Sequence, residues 1–169
     1  MFFTLFMNLA LVILWGAIVC IFCKVVDGKN FDENKSRYQP CKWEKNGGWY
    51  SKVLKINKWK DLIPQYVTKG GFSKEHFGKL QLDLKYIDRF ILETCRAEWA
   101  HSLYPLVIIP LLLLNKPLTG IIISAIVVVF SFLVVSIQRY NRFRLQRIRK
   151  KLRNEKENQV KHKAPKIPV

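Results

Sequence analysis

The chain lacks the loop signatures that carry most soluble chemistry. G-x-S-x-G, the P-loop, H-E-x-x-H and G-x-G-x-x-G are all absent from its 169 residues, so no familiar nucleophile elbow, phosphate cradle or zinc-protease helix is available. Cysteine is sparse. Cys20 and Cys23 form a C-x-x-C, but it lies inside an uncharged run with no partner pair, and Cys41 and Cys95 stand singly. Neither a disulfide framework nor a metal site follows. His76, His101 and His162 are too scattered to suggest metal ligation by spacing. Acidic side chains are also scarce, with 12 Asp and Glu against 29 Lys and Arg and a net charge of +17.

What is present is apolar sequence in clumps. Residues 1–23 contain no charge, and neither does Leu118–Ile137, "LTGIIISAIVVVFSFLVVSI". Each run is about 20 residues, and at about 1.5 Å per residue it spans the ~30 Å hydrocarbon layer. Trp99–Leu114 is a shorter third candidate. The first run lacks a basic n-region and a small-x-small cleavage site before Lys24, so it reads as a retained anchor rather than a signal peptide. The expected fold is an all-α membrane protein with about three transmembrane helices and a cytoplasmic-side amphipathic, interfacial helical region.

Four parts follow along the chain: an anchor (1–23), an interfacial region ending in an amphipathic helix (24–92), a helical hairpin with a polar site at its inner end (93–138), and a basic tail (139–169). The tail carries twelve Lys and Arg against two Glu. Such density belongs on the cytoplasmic side and near anionic lipid rather than nucleic acid. That puts the N-terminus outside and the C-terminus inside the cell membrane, with "NKPL" as an external turn containing Pro117. Trp43, Trp49, Tyr50, Trp59 and Tyr66 suit headgroup depth, in a segment ending near Pro64. From Ser73 onward the spacing of Leu80, Leu84, Ile87 and Ile91 predicts a helix that feeds the second span.

The hairpin brings two polar blocks to one depth. Counted down from the external turn, His101 lies at about 21 Å, Glu98 at about 25 Å, Arg96 at about 28 Å and Glu93 at about 33 Å. On the returning helix, Gln138 lies at about 30 Å, with Asn141 and Arg142 at about 35 Å. Antiparallel neighbours joined by a tight turn pack together, so "ETCRAEWAH" and "QRYNRFR" are expected to share one patch. Glu98 and His101 are about 60° apart on one helical face, an arrangement in which a carboxylate orients an imidazole for use as a base. Glu93 and Arg96 are an i, i+3 pair suited to an ion pair. The plainer reading is that such residues at a span's end are simply solvated or snorkel to water.

Together, "ILETCRAEWAH" and "QRYNRFRL" resemble the glycosyl-4,4'-diaponeurosporenoate acyltransferase family, small bacterial membrane proteins of similar length. The resemblance runs from about Trp43 to Leu145, and departs from the family pattern at Phe143, where a proline is expected. It implies transfer of a fatty acyl chain to a sugar hydroxyl of a carotenoid glycoside or other glycolipid. Catalytic roles then fall to His101 as base, Glu98 as its orienter and Arg96 as a donor to the oxyanion. Glu93, Gln138, Arg139, Asn141, Arg142 and Arg144 become substrate-binding candidates, with Gln138 and Asn141 as further carbonyl donors and the three arginines facing the phosphates of the acyl donor. Acyl-CoA or acyl-carrier protein would be that donor; no metal or other cofactor is implied. The lipid bilayer is the remaining partner, and a homodimer could build the acyl groove.

Two rival classes stay open from the residues alone. One is a non-enzymatic membrane adaptor or headgroup-binding protein. The other is a lipid-modifying enzyme acting on a different glycolipid or cell-wall precursor.

Overall fold

The computed structural model describes residues 2–63 and 83–163. Five α-helices are present among them: α1 (Phe2–Val25), α2 (Gly48–Lys52), α3 (Leu84–Leu103), α4 (Ile108–Leu114) and α5 (Pro117–Lys163). Short 3₁₀ turns connect them, and no strand occurs among the described residues. Three stretches are long and apolar enough to cross a membrane: Phe2–Val25, Leu84–Leu114 and Pro117–Gln159. The protein is an all-α membrane protein. The expected helix start at Ser73, Leu80, Pro64 and Tyr66 lie outside the described residues; Leu84, Ile87 and Ile91 of the same pattern are on α3.

The second span is interrupted. Between α3 and α4 the chain tightens into a 3₁₀ turn, Tyr104–Val107, with Pro105 near its start. Proline has no N–H to donate to the carbonyl four residues back, here that of His101, and its ring crowds that carbonyl. A mid-helix 3₁₀ stretch is the usual relief. By contrast, α5 runs 47 residues without a break, starting at Pro117. Proline suits the first helical position because its missing N–H would have no intrahelical partner there.

The chain divides into two compact units. The first comprises Met1–Pro40 and Leu92–Arg139; the second comprises Cys41–Ile91 and Tyr140–Val169. These units cut across the four sequence parts, because residues 26–38 pack on α3 within the first unit.

In the first unit, α1 buries a stripe at Asn8, Gly16, Val19 and Cys23, while its other faces carry exposed Phe, Leu and Ile side chains. Residues at these intervals share one helical face, and the exposed apolar remainder is what lipid requires. Leu11, Val12 and Trp15 pack with Ile123 against buried Val107, Leu111 and Val127. At Gly120 a methyl group would stand 3.1 Å from the Leu111 carbonyl oxygen, so the absent side chain is what lets α5 approach α4. Asn8 and Asn115 exchange two side-chain amide bonds, at 2.8 and 2.7 Å, which tie α1 to the turn ahead of α5.

In the second unit, Ile87, Ile91 and Leu145 form a core with Phe90, Ile148 and Leu152. Arg149 reaches Asp88 at 2.9 Å. Trp43, Trp49 and Tyr50 meet edge to face, with ring centroids 5.0–5.9 Å apart, a favoured geometry for aromatic quadrupoles. Phe143 sits within unbroken α5 and lies 6.3 Å from the Tyr50 ring. Position 143 is therefore ordinary helix.

Candidate active site

Helix α3 supplies most of the site. Ile87, Ile91, Thr94, Cys95 and Glu98 are its buried positions, and their helical spacing puts a carboxylate on the inward face. Beside that face, Glu93 and Arg96 pair one turn apart. Arg96 Nη1 donates to both Glu93 carboxylate oxygens, at 2.8 and 3.0 Å. The Arg96 guanidinium also lies 5.0 Å from the Phe31 ring centre, within cation–π range. Its Nε–H is buried and has no acceptor among the described residues.

Glu98 is met from α5. Arg139 Nη1 donates to Glu98 Oε1 at 2.7 Å, and both side chains are about nine-tenths removed from the surface. Arg139 Nη1 also donates to the Arg37 carbonyl at 3.3 Å, and Nη2 to the Gln39 carbonyl at 3.0 Å. A charge taken from water needs such additional partners to be tolerated. The segment that supplies them is folded by its own short-range polar contacts. Asp27 accepts from the Lys29 N–H at 3.0 Å and Asp32 from the Asn34 N–H at 2.9 Å, so each aspartate starts a turn. Phe31 and Tyr38 then bury against Cys95, with Val26, Leu92 and Trp99 around them. Trp99 stacks on Phe22 at 5.5 Å and takes the edge of Phe31 at 5.6 Å.

His101 is arranged differently from the sequence expectation. Its ring stacks on Tyr104 with centroids 5.0 Å apart and planes 24° apart. Its Nδ1 is buried and has no hydrogen-bond partner among the described residues. No orienting bond therefore runs from Glu98 to Nδ1. The physical reason is that Arg139, a full cation, holds the Glu98 carboxylate, and a guanidinium is a stronger partner for it than a neutral imidazole.

The remaining candidates divide between the units. Gln138 is half-buried in the first. Arg139, expected to face donor phosphates, is instead engaged inside the first unit as described above. Asn141, Arg142 and Arg144 belong to the second. There Arg142 is fully buried, Asn141 is buried, and Arg144 is exposed with its guanidinium 5.8 Å from the Tyr140 ring. Tyr140 donates to Asn57 Oδ1 at 2.7 Å.

Sequence reasoning missed two features. Glu44 is fully buried, accepting from the Tyr50 hydroxyl and the Cys41 N–H, both at 2.5 Å. Its signal was the lone acid among lysines and tryptophans. The carbonyls of Arg37 and Gln39 carry no sequence signal at all. Among the described residues, no group of three or more His, Cys, Asp and Glu is gathered for a metal ion.

The profile of the family described as "Glycosyl-4,4'-diaponeurosporenoate acyltransferase" matches residues 34–151. The chain belongs to this family. A glycosyl-4,4'-diaponeurosporenoate acyltransferase of Staphylococcus haemolyticus is 36% identical over 110 residues, covering 62% of this chain and 60% of that protein. The match thus spans less than two thirds of that relative's length. Two Staphylococcus aureus proteins of the same name, from strains MRSA252 and Newman, are 25% and 26% identical, over 73% and 78% of this chain and 74% and 79% of their own lengths. No solved structure matches. Within this glycosyl-4,4'-diaponeurosporenoate acyltransferase family member, the matched residues contain the whole of α3 and the Glu98–Arg139 pair.

Proposed function

We propose that the protein is a membrane O-acyltransferase that moves a fatty acyl group from a thioester to a hydroxyl of a lipid-linked sugar, a carotenoid glycoside such as glycosyl-4,4'-diaponeurosporenoate. The observation that carries the reaction class is family membership over residues 34–151. The half-buried imidazole one helical turn from the buried Glu98–Arg139 pair, within the Leu84–Leu114 stretch, supports the location of the chemistry.

The acceptor hydroxyl gives its proton to His101 as its oxygen attacks the thioester carbonyl. The tetrahedral oxyanion takes a hydrogen bond from Arg96 Nε–H, the buried donor that no described protein group uses. Collapse forms the ester and breaks the carbon–sulfur bond; the departing thiolate recovers the proton from His101. Glu93 fixes Arg96, and the Glu98–Arg139 pair fixes α3 against α5 at the level of the chemistry. The donor is acyl-CoA or acyl-carrier protein, drawn to the inner face of the cell membrane by the basic end of α5, with Arg144 exposed among it. No other cofactor is needed. The N-terminus lies outside, the C-terminus inside, and the Trp43–Trp49–Tyr50 cluster rests at headgroup depth.

The test compares lipid extracts by mass from cells with the wild-type gene, with His101→Ala and without the gene. An ester-linked fatty acyl glycolipid present only with the wild type is the expected result. Identical extracts from all three would leave the protein as a non-enzymatic membrane component.

A further inference from the structure

His101 has an unusual support. With no hydrogen bond at Nδ1 among the described residues, its ring angle rests on the stack against Tyr104. Tyr104 opens the 3₁₀ turn that Pro105 forces. Its phenol in turn enters a notch on α1. A methyl group at Gly16 would meet Tyr104 Oη at 2.6 Å and Cζ at 3.3 Å, so only glycine admits the ring in this position.

The register of α1 is held at two further points. Trp15 Nε1 donates to the Leu103 carbonyl at 3.2 Å, one residue before Tyr104. Asn8 exchanges amide bonds with Asn115. Asn8 and Trp15 are seven residues apart, two turns along one face and about 10 Å of axial rise. Two polar clamps at that separation fix both the height and the rotation of α1, and so deliver Gly16 to Tyr104.

We propose that α1 is a working part of the enzyme: Gly16 seats Tyr104, Tyr104 holds the His101 ring, and both are positioning residues for proton abstraction. This rests on the reading of His101 as base. It goes beyond that reading in giving the first span a role that a plain anchor does not have.

The experiment uses the full chain in liposomes, with palmitoyl-CoA and glycosyl-4,4'-diaponeurosporenoate as probes. Turnover is measured together with the rate at which diethyl pyrocarbonate modifies His101, read by peptide mass. Gly16→Ala pushes the phenol aside, and kcat falls about 10–100-fold, the scale of a displacement near 1 Å at a reacting group. KM stays close to wild type, and His101 modification changes rate. Tyr104→Phe keeps the stack and retains most activity. Gly16→Ala with Tyr104→Phe removes the colliding oxygen and recovers both readouts towards the Tyr104→Phe values, which a general loss of fold would not do. If Gly16→Ala leaves both readouts at wild type, or the double variant shows no recovery, the inference is overturned. If His101 reactivity shifts and recovers while His101→Ala still turns over, the positioning stands and the base assignment is what fails.

Discussion

Arg139 closes on Glu98 at 2.7 Å across 41 residues of sequence, and the same guanidinium gathers the carbonyls of Arg37 and Gln39. Three separate segments, α3, α5 and the turns after α1, thus converge on one cation. Removing that cation should be costly.

Arg139→Ala takes from buried Glu98 the guanidinium that donates to it at 2.7 Å, and is expected to destabilise the protein by about 3–5 kcal/mol. Glu98→Gln in the same chain removes the buried carboxylate charge that Arg139 balanced and should return part of the loss. Thermal unfolding in detergent of the two single variants and the double variant checks this. Simple additivity would mean the two side chains do not depend on each other.

His101→Ala should lower acyl transfer by about 10²–10⁴-fold, the usual worth of a general base, while membrane insertion and extraction yield stay normal. Turnover with palmitoyl-CoA is the measurement. Retained turnover would dismiss the assigned base.

Arg96→Lys keeps the positive charge but loses the Nε–H. With Arg96 as oxyanion donor, kcat should fall by about 10²–10³-fold, and Glu93→Gln should do less because it loosens the donor without deleting it. Equal, small effects on KM alone from both variants would place Arg96 in binding and not in the transition state.

Asn8→Leu removes both amide bonds to Asn115, which keeps its own donation to the Leu111 carbonyl at 2.8 Å. The loss is expected at about 0.6–2 kcal/mol, the range for interhelical hydrogen bonds in membranes. Pairing it with Asn115→Leu should recover stability, since an apolar pair leaves no amide unmatched. Unfolding midpoints of the three variants test it.

The division between what is legible in the sequence and what is not has a physical cause. Uncharged runs of about 20 residues announce spans whatever their partners, because the bilayer sets their length. Rise per residue along two antiparallel helices puts Glu98 and Arg139 at similar depth, and they meet. The same counting cannot see competition. The spacing of Glu98 and His101 suits a couple, yet a nearby guanidinium holds the carboxylate, and the imidazole turns to Tyr104. Backbone acceptors are also invisible, since the carbonyls of Arg37 and Gln39 look like those of any residue. The notch at Gly16 is one glycine in an apolar run, and only the ring opposite gives it meaning.

The reciprocal amides of Asn8 and Asn115 also impose an order on biogenesis. They are 107 residues apart, so at about 5–20 residues per second the ribosome needs roughly 5–20 s between making the first and the second. Through that interval Asn8 sits in an otherwise apolar helix with its amide unanswered. The two amide bonds that join α1 to the turn ahead of α5 therefore close only after synthesis has passed Asn115.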